Sequence, residues 1–116
     1  MNWLKLSEKE ILEIANPIMD NLMQASTEID HEKHVRDFSK EMKEIVNKDE
    51  LEKQCKDYQE SLGYFSKREF VGVYRKENDV RVFWRQFYTK SDDEFVAFVH
   101  LVEKNEKVEV VNAIVN

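Results

Sequence analysis

The sequence predicts an α+β domain in which N-terminal helices pack on a four-stranded antiparallel meander. Three observations carry this reading. Over residues 7–63 apolar side chains recur at i, i+3 and i+4, the spacing of one helical face. From Phe70 onward the period becomes two, and β-branched and aromatic residues dominate. No segment between the predicted strands is long enough for a crossover helix, which excludes a parallel sheet. A chain of 116 residues supports one hydrophobic core and leaves no room for a second. The whole of 1–116 is therefore one domain, with helices over about 7–63 and sheet over about 64–116.

The first helix announces itself at Ser7-Glu8-Lys9-Glu10, which has capping-box spacing, with Leu6 and Ile11 placed as a hydrophobic staple. Ile11, Ile14, Ala15, Ile18, Leu22 and Ala25 form its stripe, and Leu12, Met19 and Met23 widen it. Pro17 removes a backbone donor, so a kink is expected near Glu13 to Pro17. Ser26, Thr27 and Asp30 mark a break. A second helical stretch carries Val35, Phe38, Met42, Ile45 and Val46, with Ser39 positioned to divide it into two short helices. The third helix is capped by Asn47 with Glu50 closing the box; Leu51, Cys55, Tyr58 and Leu62 form its stripe and Gly63 ends it.

Strands are expected near Glu69–Lys76, Val80–Tyr88, Glu94–Glu103 and Lys107–Val115. Asn78-Asp79 and Asn105-Glu106 read as short hairpin turns, and Lys90 to Asp93 as a longer one. Setting Glu77 opposite Val80 puts Val71 and Val73 on one face with Val82, Trp84, Gln86 and Tyr88. Setting Lys104 opposite Lys107 groups Phe95, Ala97, Val99 and Leu101 with Val108, Val110, Asn112 and Ile114. Joined, these sets make an inner face for the helices to cover. The outer face then carries Phe70, Tyr74, Arg81, Phe83, Arg85, Phe87, Val96, Phe98, His100, Val111, Ala113 and Val115. So many apolar groups on one face, mixed with arginines, have the composition of a protein–protein interface. A homodimer formed sheet to sheet is expected, with Tyr74, Arg81, Phe83, Arg85, Phe98, His100 and Val111 in the interface.

Composition closes off several functions. Residues 1–63 hold 9 basic and 15 acidic residues and the remainder 9 of each, so the net charge of −6 belongs to the helical half. An acidic first half and a neutral second half argue against nucleic acid, whose phosphates demand a basic face. Two glycines cannot build a phosphate loop or a dinucleotide fingerprint, and one cysteine makes neither an internal disulfide nor a cysteine-based zinc site. The longest apolar run, Phe95 to Val99, falls far short of the roughly 20 residues of a membrane-spanning helix. A cytoplasmic protein without a cofactor is the expectation.

Ile18-Met19-Asp20-Asn21-Leu22-Met23, the short helices around Val35–Ile45, and Tyr58-Gln59-Glu60-Ser61-Leu62-Gly63-Tyr64-Phe65 precede the strand patterns Val80-Arg81-Val82-Phe83-Trp84-Arg85 and Glu94-Phe95-Val96-Ala97-Phe98-Val99. In this order of elements the chain resembles the nuclear transport factor 2-like (SnoaL-like, ketosteroid-isomerase-like) superfamily, and most of all its small bacterial members of unknown function. The resemblance implies a cone, with helices closing over a curled sheet to leave a pocket, and dimerisation through the opposite face.

A pocket in such a cone draws on the polar and aromatic exceptions of the inner face: Tyr58, Trp84, Gln86, Tyr88 and Asn112 are the candidate ligand-binding residues. Gln86 and Asn112 are equally suited to bonding neighbouring backbone. The superfamily's enzymes use Asp, His or Tyr in the cone as acid or base, and ketosteroid isomerase is a standard worked case. No Asp or His falls on the inner strand positions here, so the catalytic candidates reduce to Tyr88 with Asp30 or His34. His31 and His34 share a helix face, yet no third ligand stands at a recognised spacing, and no metal site is expected. Three functions fit: a dimeric domain binding an apolar small molecule or protein partner, an isomerase-, dehydratase- or hydrolase-type enzyme, or an interaction module with a closed core.

Overall fold

Ser7 accepts from the Glu10 amide while the Glu10 carboxylate takes the Ser7 amide, and this reciprocal cap starts the long helix α1, Glu8–Glu28. The computed structural model describes residues 1–116. Helix α1 continues unbroken through Pro17 and includes Ser26 and Thr27, so the expected break there is displaced to Ile29 in the left-handed region. Ser39 divides the next stretch as its position suggested. Asp30 caps α2 (His31–His34) and Ser39 caps α3 (Lys40–Ile45). Ile45, expected on the apolar face, is 70% exposed instead. Asn47 caps α4 (Lys48–Leu62), which stops at Gly63 with φ +85°; a Cβ there would fall 2.1 Å from Thr89 Oγ1. No helix is long and apolar enough to cross a membrane.

The strands β1 (Phe65–Arg75), β2 (Asp79–Tyr88), β3 (Ser91–Lys104) and β4 (Lys107–Val115) form one antiparallel sheet in the order β1-β2-β3-β4. The predicted α+β meander is the observed fold. Val82 pairs with Val99 and Trp84 with Ala97, which joins the two apolar sets on one inner face. The Asn105-Glu106 turn has positive φ at both residues, 53° and 64°, as a two-residue hairpin requires. The middle turn is shorter than expected: Tyr88 pairs with Ser91 around Thr89-Lys90, and the surplus residues, 92–94 of β3, bulge opposite Phe87.

Two further bulges correct the face assignment, because one inserted residue inverts every side chain beyond it. Between Phe70 and Gly72 the pairing with β2 shifts, so Phe70 stands opposite Trp84 and borders α1 beside Leu12 and Pro17. Val71 turns outward, 60% exposed. Near Val111 the pairing of β4 shifts likewise. Asn112 pairs with His100 on the outer face, Ile114 follows it, and Ala113 and Val115 turn inward. Asn112, expected inside, is exposed, and Val111 is the extra residue of the bulge.

The core fills the inner face beneath α1. Trp3, Ile11, Ala15, Val80, Val82, Val99 and Leu101 all have 0% exposure. At the far edge Val110 accepts from the Ser39 amide at 2.9 Å and donates to Asp37 O at 2.7 Å, so the α2–α3 connection covers part of the β4 edge.

A candidate binding cavity between the helices and the sheet

Short helices cannot cover the whole inner face. Neither α2 nor α3 contributes a buried residue, and α4 contributes only Leu51 and Cys55. Under them lies a cavity of about 360 Å³ lined by 19 residues, 16 of them hydrophobic. Met19, Leu22, Met23 and Ser26 come from α1, Met42 and Val46 from α3 and its end, and Leu51, Cys55 and Tyr58 from α4. Phe65, Tyr88, Phe95, Ala113 and Val115 supply the sheet side. No Asp, Glu, Lys or Arg lines it.

One wall is aromatic. The Tyr88 ring packs against Phe95, Phe65 and Tyr58, with centroids 4.9, 5.0 and 5.8 Å apart. Burial, reinforced by Tyr58, pushes the Tyr88 phenol up to about 12. Burial raises Tyr58 too, although the Ser26 hydroxyl 2.7 Å away and Gln59 pull against it. Burial, helped by the charge of His31, lowers His34 to about 4, and the ring's Nδ1 is buried without a partner. These three groups are therefore neutral near pH 7.

Among the sequence candidates, Tyr58, Tyr88 and His34 come together on this cavity. Trp84 does not; it is buried under the Arg68 guanidinium, which stacks 5.1 Å over its ring. Gln86 stays inside the sheet, donating to Lys67 O and Phe87 O, with its own carbonyl oxygen unpaired. Asp30 is an exposed helix cap, accepting from the Lys33 amide, and is not part of the lining. His31 is engaged with Val46 O at 2.8 Å, apart from His34. Sequence reasoning missed Ser26, read as a break. Its place four residues after Leu22 continues the α1 stripe, and that spacing was the available signal.

The outer face presents a second surface. Tyr74, Phe83 and Phe98 form a continuous aromatic row, with centroids 5.5 and 5.0 Å apart. Tyr74, Val96 and Ile114 are 68%, 48% and 44% exposed. Arg85 lies between Glu94 at 2.5 Å and Glu69 at 3.9 Å. His100 Nε2 faces Asp79 Oδ1 at 3.2 Å, off the line of a good hydrogen bond, and neither atom has another partner. Arg81 stands opposite His100 across the β2–β3 ladder.

Among solved structures, a protein of unknown function with a cystatin-like fold from Nostoc punctiforme matches with a TM-score of 0.59 at 12% identity, over 95% of this chain and 92% of that one. A SEC-C motif-containing protein from Rhodopseudomonas palustris matches with a TM-score of 0.53 at 13% identity, over 98% of both chains. Bd1075 of Bdellovibrio bacteriovorus gives a TM-score of 0.53 at 15% identity over 95% of this chain, which spans 42% of that protein. These likenesses concern the fold alone, which in the Nostoc punctiforme protein is described as cystatin-like. No protein-family model matches the sequence, and no curated protein matches it either.

Proposed function

We propose that the chain is a small, non-catalytic binding domain of the nuclear transport factor 2-like superfamily, holding a small apolar molecule in the cavity and pairing with a second copy through the outer sheet face. The cavity lining carries the first part: 16 hydrophobic residues of 19 around about 360 Å³, with a few neutral polar groups, the composition and size of a small-molecule site. A binding role suits it better than acid–base catalysis. The lining has no carboxylate, and its one imidazole, with a pKa of about 4, is a weak base at neutral pH.

The aromatic row and the exposed Tyr74, Val96 and Ile114 support the pairing. Arg85 and Glu94 offer both charge signs on one surface, which a two-fold axis can match to itself. Native mass spectrometry tests both parts. The expected species is a dimer of the wild type, while Phe83→Asp or Phe98→Asp yields a monomer that keeps ligand binding. A monomeric wild type at micromolar concentration refutes the pairing. Failure of every apolar compound to raise the melting temperature refutes the cavity as a site.

A further inference from the structure

We infer that Arg81 of a second copy seats in an open hollow over Gly72 on the outer sheet face, so that each copy completes a site on the other; this rests on the pairing proposed above. The hollow measures about 820 Å³ and is walled by Val71, Tyr74, Phe83 and Val96. Gly72 provides the space. It pairs with Phe83 of the outer aromatic row, and a Cβ on Gly72 would meet nothing within 4 Å.

Two ring faces and an unbalanced charge suit this hollow to a guanidinium. Tyr74 and Phe83 meet at 80° with centroids 5.5 Å apart, and Tyr74 is 68% exposed, which leaves aromatic surface open to a cation. Glu8 and Glu94 line the hollow against a single cation, Arg85. The Arg85 guanidinium is already divided between Glu94 and Glu69, and Lys67 balances Glu69 at 3.6 Å. One negative charge is therefore left without a partner.

The cation that matches it lies on the same face. Asp79 is two residues from Arg81 on β2, but its carboxylate faces His100, with Oδ1 3.2 Å from Nε2. Of the two outer-face arginines, Arg85 is thus paired within the chain and Arg81 is not. Packing two faces about a two-fold axis makes every contact twice. Tyr74 pairs with Arg81 in one row of the sheet, and Gly72 with Phe83 in the next. An axis crossing the strands between these rows carries Arg81 of each copy over Phe83 of the other, into the hollow. There the planar guanidinium stacks on the rings and takes the surplus carboxylate, which an ammonium does less well.

Sedimentation equilibrium of the full chain at neutral pH tests this, with the dimer dissociation constant as readout. Wild type is expected to dimerise. Arg81→Met keeps the apolar stem and should weaken the dimer at least about a hundredfold, because the contact is lost twice. Gly72→Phe fills the hollow without a clash; it should keep the circular dichroism spectrum of wild type and dimerise as poorly as Arg81→Met. Arg81→Glu and Glu94→Lys should each be monomeric, and mixing them should restore a dimer, since each copy then meets a hollow of opposite sign. A dissociation constant unmoved by Arg81→Met or Gly72→Phe overturns the contact and leaves the pairing intact. A mixture of the two charge variants that stays monomeric also overturns it. A monomeric wild type overturns pairing and contact together; if that monomer binds acetyl-arginine amide and Gly72→Phe does not, the hollow belongs to an arginine of another protein.

Discussion

Ala97 and Ala113 lie on neighbouring strands of the same inner face, and their surroundings differ. Ala97, opposite Trp84, has 0% exposure within the core that α1 covers. Ala113, opposite Val99, borders the cavity. The difference is one of supply. A helix of 21 residues with a widened stripe contributes eight buried residues to the space between it and the sheet. The 4- and 6-residue helices α2 and α3 bring no buried residue, so the space beneath them stays hollow. A site here is thus the portion of a core that the sequence leaves unfilled.

The sharpest way to break this contrast is at the filled end. Trp3→Ala removes a fully buried side chain that anchors the N-terminus beneath the sheet, and should cost about 3–5 kcal/mol in denaturant unfolding. A loss below about 1 kcal/mol would mean that this end is not packed as described. One substitution at both alanines comes next. Ala97→Leu should overpack the core and cost about 1–3 kcal/mol. Ala113→Leu should change stability by less than about 1 kcal/mol, because the added methyl groups enter the cavity, and it should abolish binding of an apolar probe, methyl naphthyl ketone. Equal costs at the two positions would erase the distinction.

The smallest expected effect concerns pH. His34 is held near 4 by burial, well below its ordinary value of 6.5. The unfolded chain therefore takes up this proton first as pH falls. The stability contributed by neutral His34 is complete above pH 6.5 and drains away toward pH 4. Allowing for the ring's partial exposure, it amounts to about 1–2 kcal/mol. Comparing urea unfolding of wild type and His34→Leu across that window should reveal a steeper acid loss in the wild type. Parallel curves would mean that His34 titrates normally.

The fold was legible where its signals are local. Ser7, Ser39 and Asn47 each announced a helix start, Gly63 a stop, and Asn105-Glu106 a hairpin, because caps and turns are set by a few adjacent residues. The exchange of faces was not legible, since a bulge adds one residue without changing the alternating pattern on either side. Gly72 hinted at one bulge, as a lone strand glycine often does. The second sits beside Val110, where the Asp37–Ser39 backbone binds the strand, a contact between distant segments that no spacing announces. That shift is what moved Asn112 out of the site and brought Ala113 and Val115 in. Tyr58 and Tyr88 were readable as polar tips on apolar stripes, whereas the hollow they border arises from the combined shortfall of α2, α3 and α4.

The cavity holds its own reporters. Of four methionines, Met19, Met23 and Met42 line it, and Met1 stands half-exposed at the N-terminus. Carbon-13 methyl NMR during titration with methyl naphthyl ketone should show saturating ring-current shifts at Met19, Met23 and Met42, with Met1 unmoved. Silence at all three cavity methyls, or shifts confined to amides of the outer-face residues Tyr74, Phe83 and Val96, would contradict the assignment of this hollow as the binding site.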